Sequence, residues 1–181
     1  MDPIALLKKY YKEDSKTFAV LITHGENVKQ KALEIAQKVP HLHPDMEFIA
    51  EAAMLHDIGV KETYAPEIEC YGPEPYIKHG ILGEAILIKE GLKKHANVCA
   101  THIGVGMLAK EIKAQKLPLP LKDYIPLTVE EKIICLADIF YSKLPGNLDK
   151  EKSIEKLRSD LSKYGPEVVE RFEKLLILLN Y

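Results

Sequence analysis

Apolar positions recur at helical spacing along most of the chain. Asp2 followed by Pro3 reads as a cap and a first-turn proline, opening a helix through Ile4, Leu7 and Tyr11. Ser15 caps a second segment that carries Phe18, Leu21 and Ile22 towards His24. From about Glu26, Val28, Ala32, Ile35 and Val39 keep the helical spacing until Pro40 stops them, so His24-Gly25 is expected at a junction between two helices. Pro44 stands where a first-turn proline belongs. Met46, Ile49, Ala53 and Leu55 follow on a helix ending near His56-Asp57, with Gly59 as its stop. A helix from about His79 to Lys89 closes at Gly91, and a short one from about Leu92 delivers His102. Thr128-Val129-Glu130-Glu131 has the form of a capping box and opens a helix with Ile133, Ile134, Ala137 and Phe140. Two terminal helices follow, one with Ile154, Leu157 and Leu161 before Gly165, the other from Pro166 through Val169, Phe172, Leu175, Leu176 and Leu179.

Two stretches break the pattern. Residues 61–78 hold Pro66, Pro73 and Pro75 and read as a loop; residues 104–127 hold two glycines and three prolines and read as a second. Loops of that length in a compact domain are often functional lids. There is no internal repeat, no low-complexity tract and no strong strand signal, so the pattern predicts an all-α fold. The length of 181 residues suits one buried core, and a single domain over residues 1–181 is expected.

Composition narrows the function classes. Hydrophobic residues make up 46% and charged residues 29%, the balance of a globular soluble protein. Lys plus Arg (25) nearly match Asp plus Glu (27), which argues against general nucleic-acid binding, since that needs a basic excess or stripe. With no Trp and no aromatics interleaved with basic runs, a stacking platform for single strands is not expected either. No run nears the roughly 18 apolar residues of a membrane span, and the acidic opening Met1-Asp2-Pro3 is unlike a signal peptide. Cys70, Cys99 and Cys135 lie far apart without a CxxC and read as buried hydrophobes in a reducing compartment, so a cytoplasmic location is expected.

His56-Asp57 is the focus of candidate chemistry. An imidazole and a carboxylate adjacent at a helix end can both turn towards one ion, because the chain need not continue a regular helix there. The pair alone is a weak signal, as a capping or hydrogen-bonded role is common. The nearly wholly apolar run from Ala50 to Leu55 strengthens it by driving that end into the interior, where an ionised Asp needs a partner. Asp138 repeats the pattern, following Ile133-Ile134-Cys135-Leu136-Ala137 and preceding Ile139-Phe140, and reads as a buried functional carboxylate rather than a surface ion pair. His24, His79 and His102 each stand beside a glycine or a helix end; each alone is more often a hydrogen-bonded histidine than a ligand. His95 between lysines, and His41 and His43 ahead of Pro44, keep the bland reading.

Taken together, His24, then His56-Asp57-Ile58-Gly59, then Asp138 resemble the HD superfamily, in the branch called HDIG proteins. Thr23-His24, Leu55-His56-Asp57, His79-Gly80-Ile81-Leu82-Gly83-Glu84-Ala85 and Glu131-Lys132-Ile133 through Leu136-Ala137-Asp138 carry the likeness. It spans about residues 20–143, leaving the helices of about 150–180 as a C-terminal addition. The resemblance implies a helical bundle in which His24, His56, Asp57 and Asp138 bind one metal ion. Relatives with the longer order H…HD…H…H…D hold two ions bridged by the HD aspartate, and His79 and His102 occupy those added places here. Four neutral imidazoles and two carboxylates against two divalent ions leave a charge of about +2, a trap for phosphate. Mixed nitrogen and oxygen donors favour Fe, Mn, Co, Ni or Zn over Mg or Ca. Asp57 is the expected catalytic carboxylate, and Lys61, just past the motif, is a candidate to neutralise a second phosphate; Lys78 reads as a surface lysine.

The resemblance implies a metal-dependent phosphohydrolase acting on a nucleotide or related small phosphoester. The ligand order and the Glu-Lys-x-x-x-Leu-Ala-Asp context are similar to symmetrical dinucleoside tetraphosphatases, making a dinucleoside polyphosphate a candidate. Two departures stand out. Leu21 occupies the position three before the first histidine where many relatives carry a basic residue. The Gly-Tyr-Pro motif and doubled histidine of the cyclic-dinucleotide branch are missing, Thr101 preceding His102. A di-iron oxygenase of the inositol oxygenase type shares the six-ligand order and stays open, as does a non-catalytic nucleotide-binding module. The apolar helix from Pro166 leaves room for an oligomer contact, though core packing is its more ordinary use.

Overall fold

Nine helices and one very small sheet make up the computed structural model, which describes residues 1–181. Helix α1 (Pro3–Tyr10) starts as its sequence predicts, the Asp2 side chain accepting from the Ala5 N–H. Helix α2 (Lys16–Lys38) is capped by Ser15 and runs unbroken through His24-Gly25, so the junction expected there does not exist. Gly25 serves another purpose. A Cβ on it would stand 3.3 Å from the Met54 Cα, and the bare position lets α3 (Met46–Leu55) lie close against α2. The cap of α3 is Asp45, which accepts from the Phe48 N–H, so Pro44 precedes the cap instead of occupying the first turn.

Gly59 also has a role other than the helix stop expected of it. The chain leaves α3 into a 3-10 turn (Ile58–Glu62), and a Cβ on Gly59 would lie 2.1 Å from the His79 carbonyl oxygen and 2.3 Å from the Gly83 nitrogen. Only glycine lets α4 (His79–Lys89) rest its first turns on this segment. Residues 61–78 are not a plain loop: β1 (Thr63–Ala65) pairs antiparallel with β2 (Cys70–Tyr71) and parallel with β3 (Glu74–Pro75). Strands of two or three residues are too short to leave an alternating pattern.

Helix α5 (Lys93–Thr101) follows the turn at Gly91. The stretch 104–127 contains a short helix, α6 (Ala109–Ala114), and is strapped down on both sides. Met107 and Tyr124 exchange backbone hydrogen bonds of 2.9 and 2.8 Å, and Arg171 grips both Glu111 and the Gly106 carbonyl. With Ile112 and Tyr124 buried, this segment is packed structure and not a free lid. Helix α7 (Val129–Asp138) is capped by Thr128, while Glu131 accepts from the Leu127 N–H one residue outside the reciprocal bond of a capping box. Helices α8 (Ile154–Ser162) and α9 (Pro166–Leu178) complete the chain.

The main core joins α2, α3, α7 and α9 through Val28, Ile35, Ile49, Ile133, Leu136 and Phe172. A second cluster, including Leu7, Leu21, Leu55, Ile58, Leu87 and Cys99, fixes α1, α4 and α5 to the first half of the bundle. Each such large side chain contributes about 1.5–3 kcal/mol by leaving water. The three cysteines are free and buried. No helix is long and apolar enough to cross a membrane. Between the two clusters the middle of α2 and the ends of α3, α4, α5 and α7 converge.

Candidate metal centre

Five elements each deliver one or two polar side chains to that point. His24 sits on the face of α2 that also buries Leu21 and Val28, three and four residues away, so core packing alone aims it inward. At the end of α3, His56 keeps helical angles (φ −56°, ψ −27°) while Asp57 departs from them (φ −104°, ψ 10°). That break lets two consecutive side chains face one interior site, where a regular helix would splay them about 100° apart. His79 is the first residue of α4, His102 directly follows α5 and Asp138 is the last of α7.

Asp57 lies at the centre. Its Oδ2 faces His56 Nε2 at 3.1 Å and His24 Nε2 at 3.4 Å; its Oδ1 faces His79 Nε2 at 3.4 Å and His102 Nε2 at 3.6 Å. Asp138 Oδ1 closes the first set, 2.9 Å from His24 and 3.3 Å from His56. The donors therefore form two groups able to hold a cation, His24-His56-Asp57-Asp138 and Asp57-His79-His102, each with its atoms within 4.8 Å of one another. The structure brings together all six residues that the sequence singled out as ligands.

Backbone carbonyls set the imidazole tautomers. His56 Nδ1 lies 2.6 Å from the Ala53 oxygen, His79 Nδ1 2.7 Å from that of Tyr76 and His102 Nδ1 2.8 Å from that of Cys99. A carbonyl only accepts, so each Nδ1 carries the proton and donates, leaving the Nε2 lone pairs turned on the site. His79 and His102 then point these lone pairs at each other across 3.0 Å. His56 Nε2, His24 Nδ1 and Asp57 Oδ1 are buried without a hydrogen-bond partner, and Asp57 Oδ2 is met only by the Lys143 ammonium and the facing imidazoles. Leaving so many acceptors unpaired costs several kcal/mol unless a cation satisfies them. The donor set fits a divalent transition metal, with imidazole nitrogen and carboxylate oxygen in both groups.

Charge is drawn to the carboxylates. Lys143, from the segment between α7 and α8, places Nζ 2.7 Å from Asp57 Oδ2 and 3.9 Å from Asp138 Oδ1. Burial opposes ionisation of Asp57, but His56 and Lys143 outweigh it and hold the carboxyl well below the usual range; Asp138 is held down similarly, by Lys143 and the hydrogen-bonding histidines. Burial also works against charge on His56, yet Asp57 and Asp138 overcome it and raise the ring to about 10, so without a cation Nε2 carries a proton, and the lone pair is free for a metal only once that proton is displaced. Burial pushes His79 down to about 3, and burial with Lys143 pushes His24 down to about 4, so both rings are neutral at ordinary pH.

Other expected residues lie elsewhere. Lys61 is exposed on the 3-10 turn after Asp57; its backbone N–H donates to the Tyr11 hydroxyl and its ammonium makes no ion pair with the cluster. Lys78 pairs with Glu74, His95 pairs with Glu51 and packs on Phe48, and His41 and His43 are exposed. Sequence reasoning missed Lys143, which lies in a stretch without periodicity and carries no signal beyond standing five residues after Asp138. It also missed Tyr76, whose ring covers His79 with centroids 4.7 Å apart. His79, His102, Asp138 and Lys143 line one cavity of about 380 Å³, together with Tyr141 and Tyr164. A second cavity of about 470 Å³, lined by Tyr64, Pro66, Ile68 and Leu144, shares Tyr76 and Lys143 with the first.

Comparison with known proteins agrees with this geometry. An uncharacterized protein of Methanocaldococcus jannaschii is 33% identical over 165 residues, covering 88% of this chain and 85% of that one. A tRNA (cytidine(56)-2'-O)-methyltransferase of Thermoplasma volcanium is 32% identical over 172 residues, and one of Picrophilus torridus 37% identical over 120. The matched parts cover 94% and 66% of this chain but only 43% and 30% of those two methyltransferases. No solved structure matches significantly. The family model described as HD domain matches residues 21–142, the span that runs from just before His24 to just after Asp138, and the chain belongs to the HD domain family.

Proposed function

We propose that the protein is a metal-dependent phosphohydrolase acting on a nucleotide or related small phosphoester, with a dinucleoside polyphosphate as one candidate. The observation that carries this reading is Asp57, whose two oxygens face two separate sets of imidazole Nε2 atoms. One carboxylate serving both sets is the arrangement a two-ion site needs. His24, His56, Asp57 and Asp138 would hold one ion, and Asp57, His79 and His102 the other; Fe, Mn, Co, Ni and Zn all suit these donors. Bound divalent cations supply Lewis-acid polarisation of phosphoryl oxygens and acidify water.

The chain's own groups prepare the site. The carbonyls of Ala53, Tyr76 and Cys99 lock three imidazoles in one tautomer and orientation, so little reorganisation is needed when a cation arrives. The wall of Tyr141, Tyr164 and Ile103 gives the adjoining cavity apolar surface on which the organic part of a phosphoester can rest. The methyltransferase name of two relatives is not carried over, because this chain spans less than half of each.

The test is release of inorganic phosphate, or cleavage of a phosphoanhydride, from a panel of nucleotides and dinucleoside polyphosphates with Mn or Co under anaerobic conditions. Turnover that disappears in Asp57→Ala supports the proposal. Oxygen consumption with iron and no phosphate release would replace it with the di-iron oxygenase reading. Tight nucleotide binding without turnover, in metal-loaded protein, would replace it with a binding module.

A further inference from the structure

Lys143 belongs to neither donor group, yet its ammonium is 2.7 Å from Asp57 Oδ2, the oxygen that also faces His24 and His56. It reaches 3.9 Å from Asp138 as well, so it addresses both carboxylates of the four-donor group. Only 15% of its side chain is exposed, and there is no second acidic partner for it outside the centre. A lysine and a divalent cation cannot both stay against that oxygen, since like charges at contact repel strongly where burial limits screening.

The segment carrying Lys143 is suited to yield. From Ser142 to Asn147 its hydrogen bonds are local turn contacts, Leu144 N–H to Ser142 Oγ and Asn147 N–H to the Leu144 carbonyl. Gly146 takes φ +80° with open space around it, and Leu144 is 53% exposed. The firm anchors lie beyond this stretch: Lys152 N–H to the Phe140 carbonyl, Asn27 to the Leu148 carbonyl, and Glu151 to Lys31. Lys143 also lines both cavities beside the centre, with Tyr76, so a modest movement off Asp57 keeps the ammonium at the mouth of the site.

We propose that Lys143 is a displaceable counter-ion: it neutralises Asp57 until a divalent cation takes that oxygen, then turns into the adjoining cavity and holds a phosphate oxygen of the ligand. It would thus couple cation loading to anion binding with a single side chain. The phosphate half rests on the phosphohydrolase reading; the cation half does not.

Calorimetric titration separates the halves, using Lys143→Met and, as a charge-matched control in the same segment, Lys150→Met. Lys150 is exposed and contacts only Asn147. Apo protein is titrated with Mn, and Mn-loaded protein with inorganic phosphate. Lys143→Met should bind Mn roughly ten- to a hundredfold more tightly, for loss of a competing charge at contact. The same variant should bind phosphate about tenfold or more weakly, for loss of one charge-assisted hydrogen bond. Lys150→Met should match wild type in both. Unchanged or weaker Mn binding in Lys143→Met overturns the counter-ion role. Tighter Mn with unchanged phosphate binding overturns the transfer to phosphate. If Mn-loaded wild type binds no phosphate, the phosphohydrolase reading and the phosphate half fall together, and the Mn comparison still decides the counter-ion role. Circular dichroism of both variants distinguishes a folding defect, and a misfolded Lys143→Met is replaced by Lys143→Gln.

Discussion

Gly59→Ala tests how a backbone contact outside the ligand set controls the centre. The added Cβ would be 2.1 Å from the His79 carbonyl oxygen and 2.3 Å from the Gly83 nitrogen. Reaching an ordinary contact of 3.4 Å from that oxygen requires the 3-10 turn and α4 to separate by 1.3 Å. Both obstacles are backbone, so no side-chain rotation can absorb the strain. Overpacking usually costs about 1–3 kcal/mol, and a clash with several backbone atoms of α4 belongs at the upper end, about 3 kcal/mol. With a urea dependence of about 2 kcal/mol/M for a chain of this size, the midpoint should fall by roughly 1.5 M. His79 rides on the displaced element, and a shift of that size exceeds the roughly 0.2 Å tolerance of a metal–ligand bond. The variant should therefore lose the cation held by Asp57, His79 and His102 while keeping the one held by His24, His56, Asp57 and Asp138. Urea denaturation and elemental analysis read the two effects on the same preparation. A midpoint within experimental error of wild type would refute the packing argument. A lowered midpoint with both cations retained would refute its link to His79.

Three further outcomes follow from the same contacts. Asp57→Ala should lose all bound transition metal by elemental analysis and His79→Ala only about half, because one carboxylate serves both groups and the imidazole serves one; equal losses would refute the shared role. Phe172→Ala removes a fully buried ring from the main core and should cost about 3–5 kcal/mol in urea denaturation without changing metal content; a cost below about 1 kcal/mol would mean that the core collapses around the gap. His95 is held below its ordinary value by burial, against the pull of Glu51, so the unfolded chain binds its proton more readily than the folded one. Stability from this group is present above pH 6.5 and declines as pH falls, and His95→Gln should flatten the drop in thermal midpoint between pH 7 and pH 5; an unaltered slope would refute it.

The helices and the set of candidate donors that the fold brings together were largely legible in the sequence. Periodic apolar positions, Asp2, Ser15 and Thr128 as caps, and Gly91 as a terminator act within a few residues of chain, so local physics decides them. The buried setting of Asp57 and the inward, partly buried one of Asp138 could be read from the apolar runs ahead of them, and the likeness to the HD pattern supplied His79 and His102. What could not be read locally were contacts between distant segments. Gly25 and Gly59 have the look of helix ends in one dimension, but their bare Cα atoms serve α3 and α4 packing across them. The short sheet and the strapped 104–127 segment depend on pairings such as Met107 with Tyr124 that leave no periodic trace. Lys61 is next to the motif in sequence and exposed in space, whereas Lys143 is 86 residues from Asp57 and touches it. The sequence by itself determined which residues form helices and which side chains can bind a cation. Tertiary structure alone decided which tautomers the carbonyls impose and which lysine faces the site, because each of these is a relation between atoms that only folding brings within hydrogen-bond or ion-pair reach.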